Sequence, residues 1–148
     1  MSIFSGAQVK QTPSFSKLEA FARDHLEADR YPNDYHTFRL SKCDICGVVP
    51  FGLTIEHHTG SRKGDFKGRI VGQCSICGHT TLILSYTGEH RQRLRTETPS
   101  CACGGTDFYV GECERIEGDE GLMGFFDEGV VVGMCAECQR TQVLVETD

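Results

Sequence analysis

Two pairs of closely spaced cysteines constrain this chain more than anything else in it: Cys43-Asp-Ile-Cys46-Gly and, 27 intervening residues later, Cys74-Ser-Ile-Cys77-Gly. Each pair puts two thiols on one tight turn, and the glycine that follows lets the backbone pass beneath a metal with positive φ, which a side chain resists. Two such turns facing each other supply four sulfurs at tetrahedral positions, the geometry that Zn²⁺ accepts. Nine cysteines in 148 residues also raise the possibility of disulfides. The number is odd, however, and most of the cysteines come as close pairs, which favours metal over a disulfide framework. Met1-Ser-Ile-Phe-Ser-Gly has neither a basic start nor an apolar run, so no signal peptide is expected. With no long apolar run to span a membrane, the expected location is a reducing cytoplasm.

The paired Cys-x-x-Cys-Gly turns resemble those of the zinc-ribbon superfamily. The resemblance implies a small, metal-stabilised β fold, with Cys43, Cys46, Cys74 and Cys77 as one ligand set. Phe51 to Ile55 reads as a strand, Thr59 to Gly64 as a hairpin tip, Phe66 to Val71 as the return, and Thr80 to Tyr86 as a third strand. The expectation is therefore a three-stranded antiparallel sheet over residues 41–92.

The pattern then repeats. Gly72, Cys74, Cys77, Thr80 and Leu82 recur 61 residues later as Gly133, Cys135, Cys138, Thr141 and Val143. Cys46, Gly47 and Phe51 recur 57 residues later as Cys103, Gly104 and Phe108. The difference of four places an insertion in the second hairpin, around Gly118 to Gly129, and the constant offsets mark an internal duplication. A second ribbon over residues 93–148 is expected, with Cys101, Cys103, Cys135 and Cys138 as ligands and one Zn²⁺ per ribbon. Its first turn departs from the pattern, since Cys101-Ala-Cys103 has one residue between the cysteines. Cys113 aligns with Glu56 on a strand and reads as a small buried apolar residue, although it stays an alternative to Cys101 as the fourth ligand.

Residues 1–40 read as an arm with one helix. Thr12-Pro13 suits a helix start, Ser16-x-x-Glu19 a capping box, and Phe15, Leu18, Phe21, Ala22 and Leu26 form an apolar stripe over about 14 residues. Tyr31 to Asp34 ends it. The stripe must pack on the chain itself or on another protein. His25 and His36 read as solvated.

Charge is unevenly spread. The net formal charge of -6 divides into 0 over residues 1–40, +3 over 41–100 and -9 over 101–148. Two Zn²⁺ with four thiolates each would bring the total to about -10. So acidic a final third repels phosphate backbones, and nucleic-acid binding is not expected there. The basic residues Arg62, Lys63, Lys67, Arg69, Arg91, Arg93 and Arg95 have few interleaved aromatics, so they suit an acidic protein surface better than a nucleic-acid backbone.

Catalytic motifs are absent: the sequence has no nucleophile elbow, phosphate loop, dinucleotide fingerprint or HExxH. A closed four-cysteine centre leaves no coordination position for water. Glu56-His57-His58 and His79 could bind a further metal or act as a base, but are surplus to the four thiols and read as solvated or backbone-bonded. Three function classes remain. The first is a non-catalytic structural subunit or adaptor of a larger complex, or a self-associating one. It is supported by the helix stripe and by Leu122, Met123, Phe125 and Phe126 in an acidic hairpin. In size and ribbon content the chain resembles the small zinc-containing subunits of acetone- and acetophenone-type carboxylases. The second class is a transcription factor, since tandem ribbons resemble the small zinc-ribbon subunit of RNA polymerase II and the transcript-cleavage factors. Those factors carry an Asp-Glu pair on a hairpin; Asp119-Glu120 fits the outgoing distance from Cys103 and Asp127-Glu128 the return to Cys135, and neither fits both. The third is electron transfer, since the knuckles also resemble rubredoxin; iron is then the alternative metal.

Overall fold

The computed structural model describes residues 14–27, 35–58, 66–86, 94–116 and 126–147. They form one helix, α1 (Ser16–His25), and eight strands: β1 (Tyr35–Leu40), β2 (Phe51–His58), β3 (Gly68–Cys74), β4 (Thr80–Tyr86), β5 (Leu94–Glu97), β6 (Asp107–Ile116), β7 (Phe126–Cys135) and β8 (Thr141–Thr147). All eight strands join one antiparallel sheet with the central order β4-β3-β2-β6-β7-β8. This corrects the expectation of two separate three-stranded sheets. The reason lies at the seam, where Phe51 of β2 pairs with Phe108 of β6. These two phenylalanines are repeat equivalents, so a local pseudo-two-fold passes between them and merges the hairpins into a continuous sheet.

The outer strands explain why the merger holds. β1 does not pair with its own half; it runs along β6 with Arg39 opposite Glu112. β5 likewise runs along β2, with Glu97 opposite Ile55. Counting back from the first cysteine of each half, Arg39 corresponds to Glu97, and Ile55 corresponds to Glu112. The two halves therefore exchange their first strands in the same register, as a domain-swapped dimer would, but within one chain.

Alternation along the strands sorts the side chains into two faces. Phe51, Leu53 and Ile55 of β2, Phe108 and Val110 of β6, Ile70, Val131 and Val145 share one buried core with Phe66. The Phe66 N–H donates to the Glu146 carbonyl at 3.0 Å, so the sheet folds back on itself and its inner faces pack together. Both halves carry a β-bulge at the same place, between Ile70 and Val71 and between Val131 and Val132. The residues left out of register are Ile83 and Leu144, again equivalents. Their methyl groups lie over Gly72 and Gly133, where a Cβ on Gly72 would stand 2.7 Å from Ile83 Cδ1 and 2.9 Å from the Phe51 ring. The repeated glycines are thus cut to the bulge that crosses them.

The helix packs on the outer face of the second half only. Leu18, Ala22 and Leu26 are buried against Cys113, Val130, Val132 and Met134, with Phe15, Phe21, Phe38 and Tyr109 around them. Of the two alternatives for the stripe, its own chain rather than another protein covers it. The same face in the first half carries Glu56, Arg69, Val71 and Gln73 at the equivalent positions, and Glu56 accepts from Arg69 where Cys113 faces Val130. An ion pair there is wettable, and no second helix is required. The helix is shorter than the stripe suggested and begins without a capping box: Phe15 is the N-cap and makes no side-chain cap bond, while Glu19 pairs with Arg23 at 2.9 Å. Thr12-Pro13 and Tyr31 to Asp34 lie outside the described residues.

Candidate metal centres

Each centre is built from two knuckles that the strands bring together. In the first half, Cys43 N–H donates to the Gly47 carbonyl and Gly47 N–H returns to Cys43, at 2.8 and 2.9 Å. The second knuckle is the turn from β3 into β4, where Gly78 N–H donates to the Cys74 carbonyl and Cys74 N–H to that of His79. Ser75 N–H bonds the Pro50 carbonyl and docks one knuckle on the other. Gly47, Gly78 and Gly104 all have positive φ, at 86°, 79° and 95°, as expected of the residue after the second cysteine. In the fourth knuckle that place is held by Gln139, at φ 64°. Its carbonyl accepts from Lys17 Nζ at 2.9 Å, which ties α1 to this turn.

The Sγ atoms of Cys43, Cys46, Cys74 and Cys77 lie within 4.8 Å of one another, and so do those of Cys101, Cys103, Cys135 and Cys138. Cys43 and Cys77 are 3.6 Å apart, Cys101 and Cys138 3.4 Å, and Cys103 and Cys135 3.6 Å. A disulfide requires about 2.05 Å, whereas four sulfurs at about 2.3 Å from a central Zn²⁺ stand about 3.8 Å apart. Both clusters could hold a metal ion. The shortened Cys101-Ala-Cys103 turn reaches the same arrangement because Gly104 keeps the positive φ and Gly105 closes the loop, accepting from Cys101 N–H at 2.8 Å. A Cβ on Gly105 would lie 2.7 Å from Cys135 Sγ, so the second glycine makes room for sulfur. Cys113 stands apart from both clusters, fully buried beneath α1, where burial pushes its thiol pKa up.

Electrostatics at the first cluster explain what a cation would do there. The Cys77 and Ile76 N–H groups both point at Cys74 Sγ at 3.4 Å and, with its sulfur neighbours, bring its pKa down to about 6. Cys46, hydrogen-bonded to Cys77 and Cys74, is instead pushed up to about 12. Cys103, its repeat equivalent, also rises to about 12: the Gly105 N–H favours its thiolate, but Cys138, Cys135 and Cys101 outweigh it. Crowded sulfurs cannot all ionise together without a compensating positive charge, and a divalent metal supplies one.

The described histidines do not extend either centre. His57 Nε2 lies 3.2 Å from Glu97 Oε1 and its ring stands edge-on to Phe66. His79 lies 3.7 Å from Asp44, and His25 lies 3.5 Å from Glu146, so His25 is paired rather than merely solvated. Among the described residues the two cysteine sets are the groupings that could hold a metal. Of the basic residues, Arg69 bonds Glu56 in its own hairpin, and Arg62, Lys63, Arg91 and Arg93 lie outside the described residues. So do Asp119, Glu120, Leu122, Met123 and Phe125. No described helix is long and apolar enough to cross a membrane. What the sequence did not signal is the surface around the first centre. Ile45 and Ile76, the residues before Cys46 and Cys77, are each 70% exposed, and Leu82 on β4 is 58% exposed. The second centre has Ala102 and Glu137 at the corresponding places. No family model, curated protein or solved structure matches the chain.

Proposed function

We propose that this protein binds two structural Zn²⁺ ions, one per cysteine cluster, and serves without catalysis of its own as an adaptor or accessory subunit of a larger protein complex. The observation that carries it is the pair of isoleucines at the tips of the first centre. A metal-held turn fixes both side chains, so they present apolar surface at little entropic cost, as interface anchors require. Four thiols leave no donor position for water or substrate, which supports a structural metal. The test is metal analysis with an absorption spectrum, then purification from the native host of the wild type and of Ile45→Asp/Ile76→Asp. Two zincs, no colour and a partner lost in the double variant are the expected results. A partner retained by a folded double variant would sink this assignment of the surface.

One observation favours a second reading. N–H groups of Ile45, Ile76, Cys77 and His79 point at the sulfurs of the first centre at 3.4 Å. Such donors tune iron–sulfur potentials. A red protein containing iron would move electron transfer to the front.

A further inference from the structure

The two halves differ at one seam. In the second half, Gln142 of β8 donates from Nε2 to the Ser100 carbonyl at 3.4 Å, bridging β8 and the segment that leads from β5 to its knuckle. By the repeat, Gln142 corresponds to Thr81 and Ser100 to Lys42. Threonine is too short for that bridge, and Thr81 Oγ1 is buried with no hydrogen-bond partner among the described residues. Here the seam stands open as a cavity of about 390 Å³ between β4 and the Arg39–Lys42 segment, with Glu112 at its wall.

Three features say what would enter it. First, β4 ends the sheet among the described residues, and its sequence Thr-Thr-Leu-Ile-Leu-Ser-Tyr has no charge and no proline. Such an edge is a template for another strand. The equivalent edge, β8, is already engaged, since Glu146 accepts from Phe66 N–H and lies beside His25. Second, Leu82 and Ile83 offer apolar contact at the cavity, with Leu82 largely exposed. Third, Arg39 is matched by Glu112, whereas exposed Lys42 has no partner among the described residues. A second copy of β4 would bring no charge for Lys42, and a chain of net charge -6 repels itself.

We propose that this seam is a strand-binding slot: an extended segment of a partner protein adds to β4, with apolar side chains over Leu82 and Ile83 and an acidic one at Lys42. The volume suits a few residues, within the range of about 300–1,000 Å³ of ligand pockets, and the mode is β-augmentation. The slot rests on the adaptor proposal only for which protein supplies the strand.

The probe is the peptide acetyl-Glu-Val-Thr-Val-Glu-Val-amide, with its lysine-for-glutamate counterpart as control, titrated into the ¹⁵N-labelled full chain purified with its metal. The acidic peptide is expected to shift amides of residues 39–42, 80–84 and 112, and to slow hydrogen exchange along β4 at least tenfold. Lys42→Glu should weaken binding at least tenfold. Thr81→Gln, which copies the bridge of the second half, should abolish it and leave metal content unchanged. No binding, equal binding of the lysine peptide, shifts elsewhere, or binding that survives Thr81→Gln overturns the slot. So does a concentration-dependent dimer whose β4 amides are protected before peptide is added, because a second copy then fills it. If Thr81→Gln keeps the partner of the wild type, the slot fails and the adaptor stands. Peptide binding with no co-purifying partner gives the reverse.

Discussion

Gln139 shows how much one backbone position in a knuckle matters. At φ 64° it occupies the left-handed region that Gly47, Gly78 and Gly104 fill in the other three turns. A side chain there costs about 1–2 kcal/mol, and glycine gives back about 0.5–1 kcal/mol in chain entropy. Gln139→Gly should therefore raise stability by up to about 1 kcal/mol, read from thermal or denaturant unfolding of the metal-bound protein; a lower midpoint would refute the strain. Gly105 tests the converse. Because its missing Cβ makes space for Cys135 Sγ, Gly105→Ala should weaken metal binding at the second centre at least tenfold, as measured by chelator competition. Protons enter the same equilibrium. Cys46 and Cys103, with pKa about 12, are thiols at neutral pH, whereas a bound metal requires thiolates. Metal uptake must expel those protons, so affinity rises with pH and falls in acid. Competition at pH 6, 7 and 8 should show a loss of about tenfold per pH unit for each proton released. A pH-independent affinity would mean the thiols are already ionised.

Among the elements, α1 carries the clearest asymmetry between the halves. Leu18 and Ala22 are fully buried against β6 and β7. Leu18→Ala should cost about 2–5 kcal/mol, and chemical unfolding would measure it; a cost below about 1 kcal/mol would mean the helix is only loosely docked. The helix, the strand Thr80 to Tyr86 and both cysteine sets were legible in the sequence, because spacing and alternation are local signals. Even the second set was legible despite its Cys-x-Cys turn, since a fixed offset to Cys135 and Cys138 stood in for the missing residue. The strand exchange was not. β1 and β5 precede the first cysteine of each half, and nothing in Tyr35–Leu40 states that its partner is Glu112 rather than Ile55. The paired bulges at Ile83 and Leu144 were equally silent, although Gly72 and Gly133, conspicuous as a repeated pair, are their imprint. The capping box failed because Ser16 lies inside the helix rather than before it.

For the whole molecule, the strand exchange predicts that the two candidate metal centres depend on one another. Each cluster is closed by knuckles of its own half, but the strand entering each first knuckle is paired with the other half's sheet. Two independent ribbons would lose their metals and unfold separately, since each small module folds on its own ion. Here, release of the second metal frees Cys101 and Cys103, loosens β5, and so strips β2 of a neighbour in the first half. The Phe51–Phe108 pairing and the shared core carry the same disturbance across the pseudo-two-fold. Titration with a strong chelator, followed by circular dichroism and by metal release, should give one cooperative transition rather than two. Cys135→Ser, which directly removes one ligand of the second centre, should also lower the metal affinity of the first by at least tenfold. A first centre that kept its affinity in that variant, with β2 and β3 amides still protected, would show that the exchanged strands join the halves without coupling them.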